Sequence, residues 1–100
     1  MNTCKRGENM EFSKGNNRFY KEEDGQLLAE ITWVSQGDRV GVDHTFVDPS
    51  LRGQGVAEQL VDRVVEEMQK EQKKIYPICP YVVELFKRKP DKYEHVQAFD

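Results

Sequence analysis

Over residues 52–57 the chain reads Arg-Gly-Gln-Gly-Val-Ala, and there its hydrophobic period changes. Upstream, Leu27, Ala29, Ile31 and Trp33 of LLAEITWV alternate with polar positions such as Glu30 and Thr32, the period of a half-buried strand. Downstream, Ala57, Leu60, Val61, Val64, Val65 and Met68 recur at three- and four-residue steps. Glu58, Gln59, Asp62, Arg63, Glu66 and Lys70 occupy the opposite side, as on an amphipathic helix. A strand that passes through a glycine loop into a helix, and then into another strand, is a crossover between parallel strands.

The rest of the chain supplies the sheet around that crossover. MEFS and RFYKEE flank Gly15-Asn16-Asn17 and read as the arms of a hairpin. A turn at Glu22-Glu23-Asp24-Gly25 leads into LLAEITWV, and Gly37-Asp38 turns that strand into a fourth, RVGVDHTFV. Strict alternation puts Val40, Val42, His44 and Phe46 on one face of the fourth strand, with Gly41, Asp43, Thr45 and Val47 on the other. The strand's histidine is thereby expected on its more apolar face. After the helix, whose end carries Lys70, Lys73 and Lys74, IYPIC reads as a fifth strand. PYVVELFKRK is a second helix with Pro80 near its start, and Pro90 ends it. The segment DKYEHVQAFD is a last helical turn or a frayed end. The fold class is therefore α/β, of the α+β kind, in a single domain over residues 1–100 with a core from about 10 to 96.

Charge and cysteine content narrow the partners. A formal charge of −3 argues against a general nucleic-acid binder, which is usually strongly and locally basic. The chain shows neither a membrane-length apolar run nor a signal-peptide core, so a cytoplasmic location is expected. Cys4 and Cys79 lack metal-ligand spacing and read as free thiols.

A helix N-terminus presents unpaired amides and partial positive charge, and glycine lets backbone approach a bulky anion, so the loop suits a phosphate. A Walker loop requires Lys-Ser/Thr after its last glycine, where Val56-Ala57 stands here. A dinucleotide fingerprint requires a small residue at Glu58 and a place in the first strand-to-helix turn. Neither is met. The sequence Arg52-Gly53-Gln54-Gly55-Val56-Ala57, lying between the fourth strand and the long helix, instead resembles the GNAT superfamily of acetyl-CoA-dependent N-acetyltransferases, whose pyrophosphate loop is Gln/Arg-x-x-Gly-x-Gly/Ala. DHT, RGQGVAEQL and CPYV together resemble its small, single-domain YjdJ-like group.

The resemblance implies a minimal GNAT fold, a mostly antiparallel sheet with one parallel crossover and a splay between the fourth and fifth strands. It implies acetyl-CoA as cosubstrate, with Phe46 and Val47 offering backbone partners to the pantetheine arm. The amides of Gly53, Gln54, Gly55, Val56 and Ala57 would cradle the pyrophosphate, and Arg52 would add charge. The alternative is that the glycines only form a tight turn. The resemblance departs from the superfamily pattern in leaving no room for the two helices after the first strand or for the C-terminal strands that usually help bind the acceptor, so cofactor binding is the firmer expectation.

Amine attack on a thioester needs a neutral amine, a stabilised oxyanion and a proton for the leaving thiolate. Tyr81, placed near the superfamily's usual tyrosine, either protonates the CoA sulfur or packs under the second helix. Cys79 either contacts the thioester, up to accepting the acetyl group, or is a small buried hydrophobe. His44 is either a general base or a hydrogen-bonded core histidine. The function expected is acetyl transfer to a primary amine: a small amine, a polyamine, or a protein lysine or N-terminus. The alternative is a CoA-binding regulatory module without turnover.

Overall fold

The computed structural model describes residues 11–98 of the chain; Cys4 and Met10, used in the reading above, lie outside them. Five strands form one sheet in sequence order: β1 (Ser13–Gly15), β2 (Arg18–Glu23), β3 (Gln26–Gln36), β4 (Arg39–Val47) and β5 (Lys74–Pro77). The first four pair antiparallel, and β5 lies parallel to β4. Between them run a 3₁₀ turn at Pro49–Leu51 and the crossover helix α1 (Val56–Lys70), with α2 (Pro80–Arg88) and a short α3 (Pro90–Tyr93) after β5. The chain then returns to the sheet edge, where the Ala98 amide donates to the Ile75 carbonyl at 2.7 Å.

Turn chemistry sets these boundaries. Asn17, Asp24, Gly25 and Gly37 all take positive φ at the hairpin tips, residue types that tolerate that region. Pro80 sits in the first turn of α2, where a missing amide costs nothing, and Pro90 starts α3 in the same way.

One face of the sheet carries the core. Phe19, Ala29, Ile31, Trp33, Val40 and Val42 are buried there against Leu60, Val61, Val64 and Met68 of α1 and Val82, Leu85 and Phe86 of α2. Each Val, Leu, Ile, Phe or Met side chain among them contributes about 1.5–3 kcal/mol on burial. Phe19 and Trp33 meet at 5.4 Å between ring centroids, and Phe86 stacks on Tyr93 at 4.7 Å. Among the described residues no helix is long and apolar enough to cross a membrane.

The strict alternation expected along β4 does not hold. The pairing with β3 shifts between Thr32 and Trp33: Trp33 lies opposite Val42 and Thr32 opposite His44, so Asp43 is an extra residue. Two successive β4 residues face one position of β3, which is a bulge. Past it, Thr45 and Val47 lie opposite Ile31 and Ala29 on the core side, while His44 and Phe46 lie opposite Thr32 and Glu30 on the other. His44 is thus not on the apolar face; its side chain is 54% exposed.

An ionic cluster fastens α3 to α1. Glu58 accepts from Lys89 and Lys92 at 2.9 and 2.7 Å, and Asp62 accepts from Lys92 at 3.0 Å and from the Tyr93 hydroxyl at 2.6 Å. Lys92 and then Lys89 hold the Glu58 carboxyl below its usual range. A lowered folded-state value means stability that is present above the ordinary glutamate range and lost as pH falls through the folded one. The expected contribution is below about 1 kcal/mol, because the pair is partly solvated. Melting curves from pH 6 to 3 should fall less steeply for Glu58→Gln than for wild type.

Candidate active site

Pairing between β4 and β5 ends at Val42 and Pro77. The amides of Ile78 and Cys79 both donate to the Val42 carbonyl, at 3.0 and 2.9 Å, and the chain then turns into α2. Among the described residues, Asp43 to Val47 pair with no strand on that side, leaving β4 with a free edge where the two strands part. The bulge at Asp43 stands at the point of parting, and a bulge bends its strand.

The residues whose backbone faces the free edge follow from the ladder. In an antiparallel pair, hydrogen-bonded and non-bonded positions alternate. The Asp48 amide donates to the Leu28 carbonyl at 2.8 Å, so the next bonded pairs are Phe46 with Glu30 and His44 with Thr32. Thr45 and Val47 therefore turn their amides and carbonyls to the open side, and the Val47 carbonyl accepts from Arg52 Nε at 3.4 Å. Of the expected pair, Phe46 and Val47, only Val47 faces the opening, since the Phe46 backbone is engaged by β3. Thr45 is the residue the sequence reading passed over; a phase shift at the bulge was the signal needed to find it.

The free edge leads into the glycine loop. Asp48 caps the 3₁₀ turn, accepting from the Ser50 amide and hydroxyl at 3.0 and 2.6 Å. These bonds, the Ser50 hydroxyl first, hold the Asp48 carboxyl below the usual carboxylate range. Gln54 Nε2 reaches back to the Ser50 carbonyl at 3.4 Å. Gly53 and Gly55 have φ of +83° and +73°, and a Cβ built on either meets nothing within 4 Å. Space lies open in front of both. The Gln59 amide reaches the Gly55 carbonyl at 3.1 Å, so the amides of Val56 and Ala57 fall in the first turn, ahead of any intrahelical partner.

Cys79 caps α2 and is buried, with Sγ 3.5 Å from Thr45 Oγ1. The thiol thus stands against the free segment of β4. Tyr81, in the first turn of α2, is half-buried against the core. Burial, and after it the Glu58 carboxylate, keep its phenol above the ordinary tyrosine range, so it is protonated at neutral pH. α2 begins at the closed end of the free edge and α1 at its far end, so the positive poles of both helices flank it. His44 and Asp43 emerge on the opposite face of the sheet. A separate groove of about 490 Å³ lies over α1, lined by Gln59, Asp62, Glu66, Lys92 and Tyr93, and contains none of these residues.

The sequence matches the family model of the GCN5-related N-acetyl-transferases over residues 18–96. Among solved structures, a GCN5-like protein from Staphylococcus aureus is 34% identical, with 90% of this chain and 89% of that one covered at a TM-score of 0.74. Two longer proteins share the fold. The ribosomal-protein-S18-alanine N-acetyltransferase of Escherichia coli is 17% identical, with 75% of this chain and 53% of that one covered at a TM-score of 0.59. A protein from Clostridium acetobutylicum crystallised with acetyl-CoA is 20% identical, with 83% and 58% covered at 0.56. The chain spans little more than half of either. No curated protein matches the sequence.

Proposed function

Since the chain belongs to the GCN5-related N-acetyltransferase family, we propose that it carries the acetyl group of acetyl-CoA to a primary amine by direct attack within a ternary complex. The observation that carries this reading is the free edge of β4, which runs past the end of β5 and delivers the chain into a glycine loop at the N-terminus of α1. The residues present fit the cosubstrate: the space before Gly53 and Gly55 is what a diphosphate needs.

In this reading the amides from Gly53 to Ala57 hold the pyrophosphate and Arg52 adds charge beside it. The outward amides and carbonyls of Thr45 and Val47 hold the pantetheine arm as a strand would. When bound, acetyl-CoA supplies an activated acyl carbon and a thiolate leaving group. Tyr81 keeps its proton at neutral pH and is the donor available to that thiolate. The acceptor is a small amine, a polyamine, or a lysine or N-terminus of another protein. The single domain acts in the cytoplasm, where cysteines stay reduced.

Direct attack leaves Cys79 without a covalent role, and its burial and contact with Thr45 suit a packing residue. Incubation with acetyl-CoA alone should leave no acetyl adduct on a Cys79 peptide by mass spectrometry. Cys79→Ala should retain sequential kinetics, with kcat within roughly tenfold of wild type, whereas loss of an essential nucleophile costs far more. An acetylated Cys79 that passes its acetyl to an added amine would replace this mechanism with a two-step one. Tight CoA binding without transfer to any amine would identify a CoA-binding regulatory module.

A further inference from the structure

The two large apolar side chains exposed among the described residues stand together. Val34 and Ile78, 40% and 43% exposed, meet over Gly41 on the face of the sheet opposite the helices. Val34 lies opposite Gly41 on β3 and Tyr76 lies opposite it on β5, so all three positions share that face. A Cβ at Gly41 would stand 2.6 Å from Ile78 Cδ1 and 3.4 Å from Val34 Cγ2, so it takes a glycine to let Ile78 lie down on the sheet beside Val34. The Ile78 backbone is fixed in turn, its amide donating to the Val42 carbonyl at 3.0 Å. Single exposed apolar residues are ordinary, whereas a contiguous apolar shelf with a polar rim marks a place of contact.

This shelf lies at the closed end of the splay. With a diphosphate at the glycine loop, an arm that runs along Val47 and Thr45 brings its thioester to that end, where β4 leaves Val42 and the chain turns at Ile78 and Cys79. On the core side Val42 and Cys79 are buried there. On the other side Ile78 and Asp43 are exposed, so an acceptor arrives over the face that bears the shelf. Asp43 Oδ1 accepts from Thr32 Oγ1 at 2.7 Å, which turns the carboxylate onto the face that Thr32 shares with Val34. A carboxylate beside an apolar shelf complements an ammonium joined to an apolar body.

We propose that the acceptor is a small primary amine with an apolar body, an arylalkyl- or alkylamine, whose body lies on Val34 and Ile78 while Asp43 draws its ammonium to the closed end of the splay. This rests on the acetyl-transfer reading above and narrows its acceptor. The ammonium gives one proton to water before attack. As the C–N bond forms and the C–S bond breaks, the amine gives up a second proton, and the departing sulfur takes one from Tyr81 or from water; the amine's second proton restores that donor. A polyamine or a hydroxylated amine would have to strip water from a further polar group to lie on the shelf, which selects against both.

Two measurements test it. With saturating acetyl-CoA, kcat/KM for 2-phenylethylamine should exceed that for ethanolamine and for spermidine by at least roughly tenfold. Ile78→Ser and Val34→Ser, both at exposed positions, should each lower the ratio of 2-phenylethylamine to ethanolamine by roughly five- to tenfold, through KM, with CoA affinity unchanged. Asp43→Asn, which can still accept from Thr32 Oγ1, should raise KM for both amines by roughly threefold and leave their ratio as it was. In the CoA-loaded protein, 2-phenylethylamine should shift the methyl resonances of Val34 and Ile78. A wild type that prefers ethanolamine or spermidine, or a ratio unmoved by Ile78→Ser, would overturn the shelf as an acceptor site while leaving transfer intact. Loss of a dimer in Ile78→Ser on sedimentation, with the ratio unmoved, would assign the shelf to a second copy of the chain instead. Methyl shifts without acetylation of any of the three amines would uphold the amine site and overturn the transfer reading.

Discussion

Gly55→Val weakens CoA binding by at least roughly 100-fold, about 2.7 kcal/mol, in a protein that keeps its fold. Two effects act together. Gly55 has φ of +73°, where a side chain costs about 1–2 kcal/mol and a β-branched one is least tolerated. The new Cβ also points into open space rather than into protein, so nothing in the molecule resists it and only a ligand would meet it. If the loop keeps its conformation, the isopropyl group fills the phosphate's place. If the loop relaxes to negative φ, the amides of Val56 and Ala57 turn away, and charge-assisted bonds of about 1.5–3 kcal/mol each are lost. Calorimetry with CoA on both proteins, with circular dichroism to show that both are folded, decides it. Equal affinity would mean that the loop is only a turn.

The contrast between Gly55 and His44 explains what the sequence made legible. The glycine loop announces itself because positive φ and unobstructed space require a particular residue type, and because it sits where two hydrophobic periods meet. The helix face of Leu60, Val61, Val64 and Met68 is legible for a similar reason, since a 3.6-residue period over four turns has no competing explanation. The parallel pairing of β4 and β5 follows from the helix between them.

His44 and Phe46 were misplaced because the period of a strand is two and a single extra residue inverts it. Asp43 has no composition that marks a bulge; it is a polar residue at a position that alternation already makes polar. The resemblance put Phe46 and Val47 at the free backbone edge, whereas the ladder turns Thr45 and Val47 to it. The 3.6 Å approach of Glu30 Oε1 to His44 Nε2 was equally hidden, since it exists only once both residues are known to share a face. The fifth strand read as IYPIC ends two residues early, at Pro77, because the Ile78 and Cys79 amides both turn onto the Val42 carbonyl; Cys79 therefore caps α2 rather than ending β5, while Tyr81 lies in the first turn of that helix.

The bulge also separates binding from stability, and deletion of Asp43 should reveal this. Val42 lies opposite Trp33 and His44 opposite Thr32, so removing the residue between them leaves a regular ladder with every later side chain on its present face. Thr45 and Val47 would still lie with Ile31 and Ala29, and the core would lose nothing. The loss would be the local bend that carries β4 away from β5. A straight β4 would run beside Ile78 and Cys79, whose amides already crowd onto the Val42 carbonyl, and the opening would narrow. CoA affinity should fall by roughly 100-fold or more, a loss of about 2.7 kcal/mol. The melting temperature should hold within a few degrees or rise, because an unpaired residue leaves the ladder and no buried contact is removed. A deletion variant that melts like wild type and still binds CoA as tightly would show that the strands part for another reason, with the end of β5 at Pro77 the next structural cause to test.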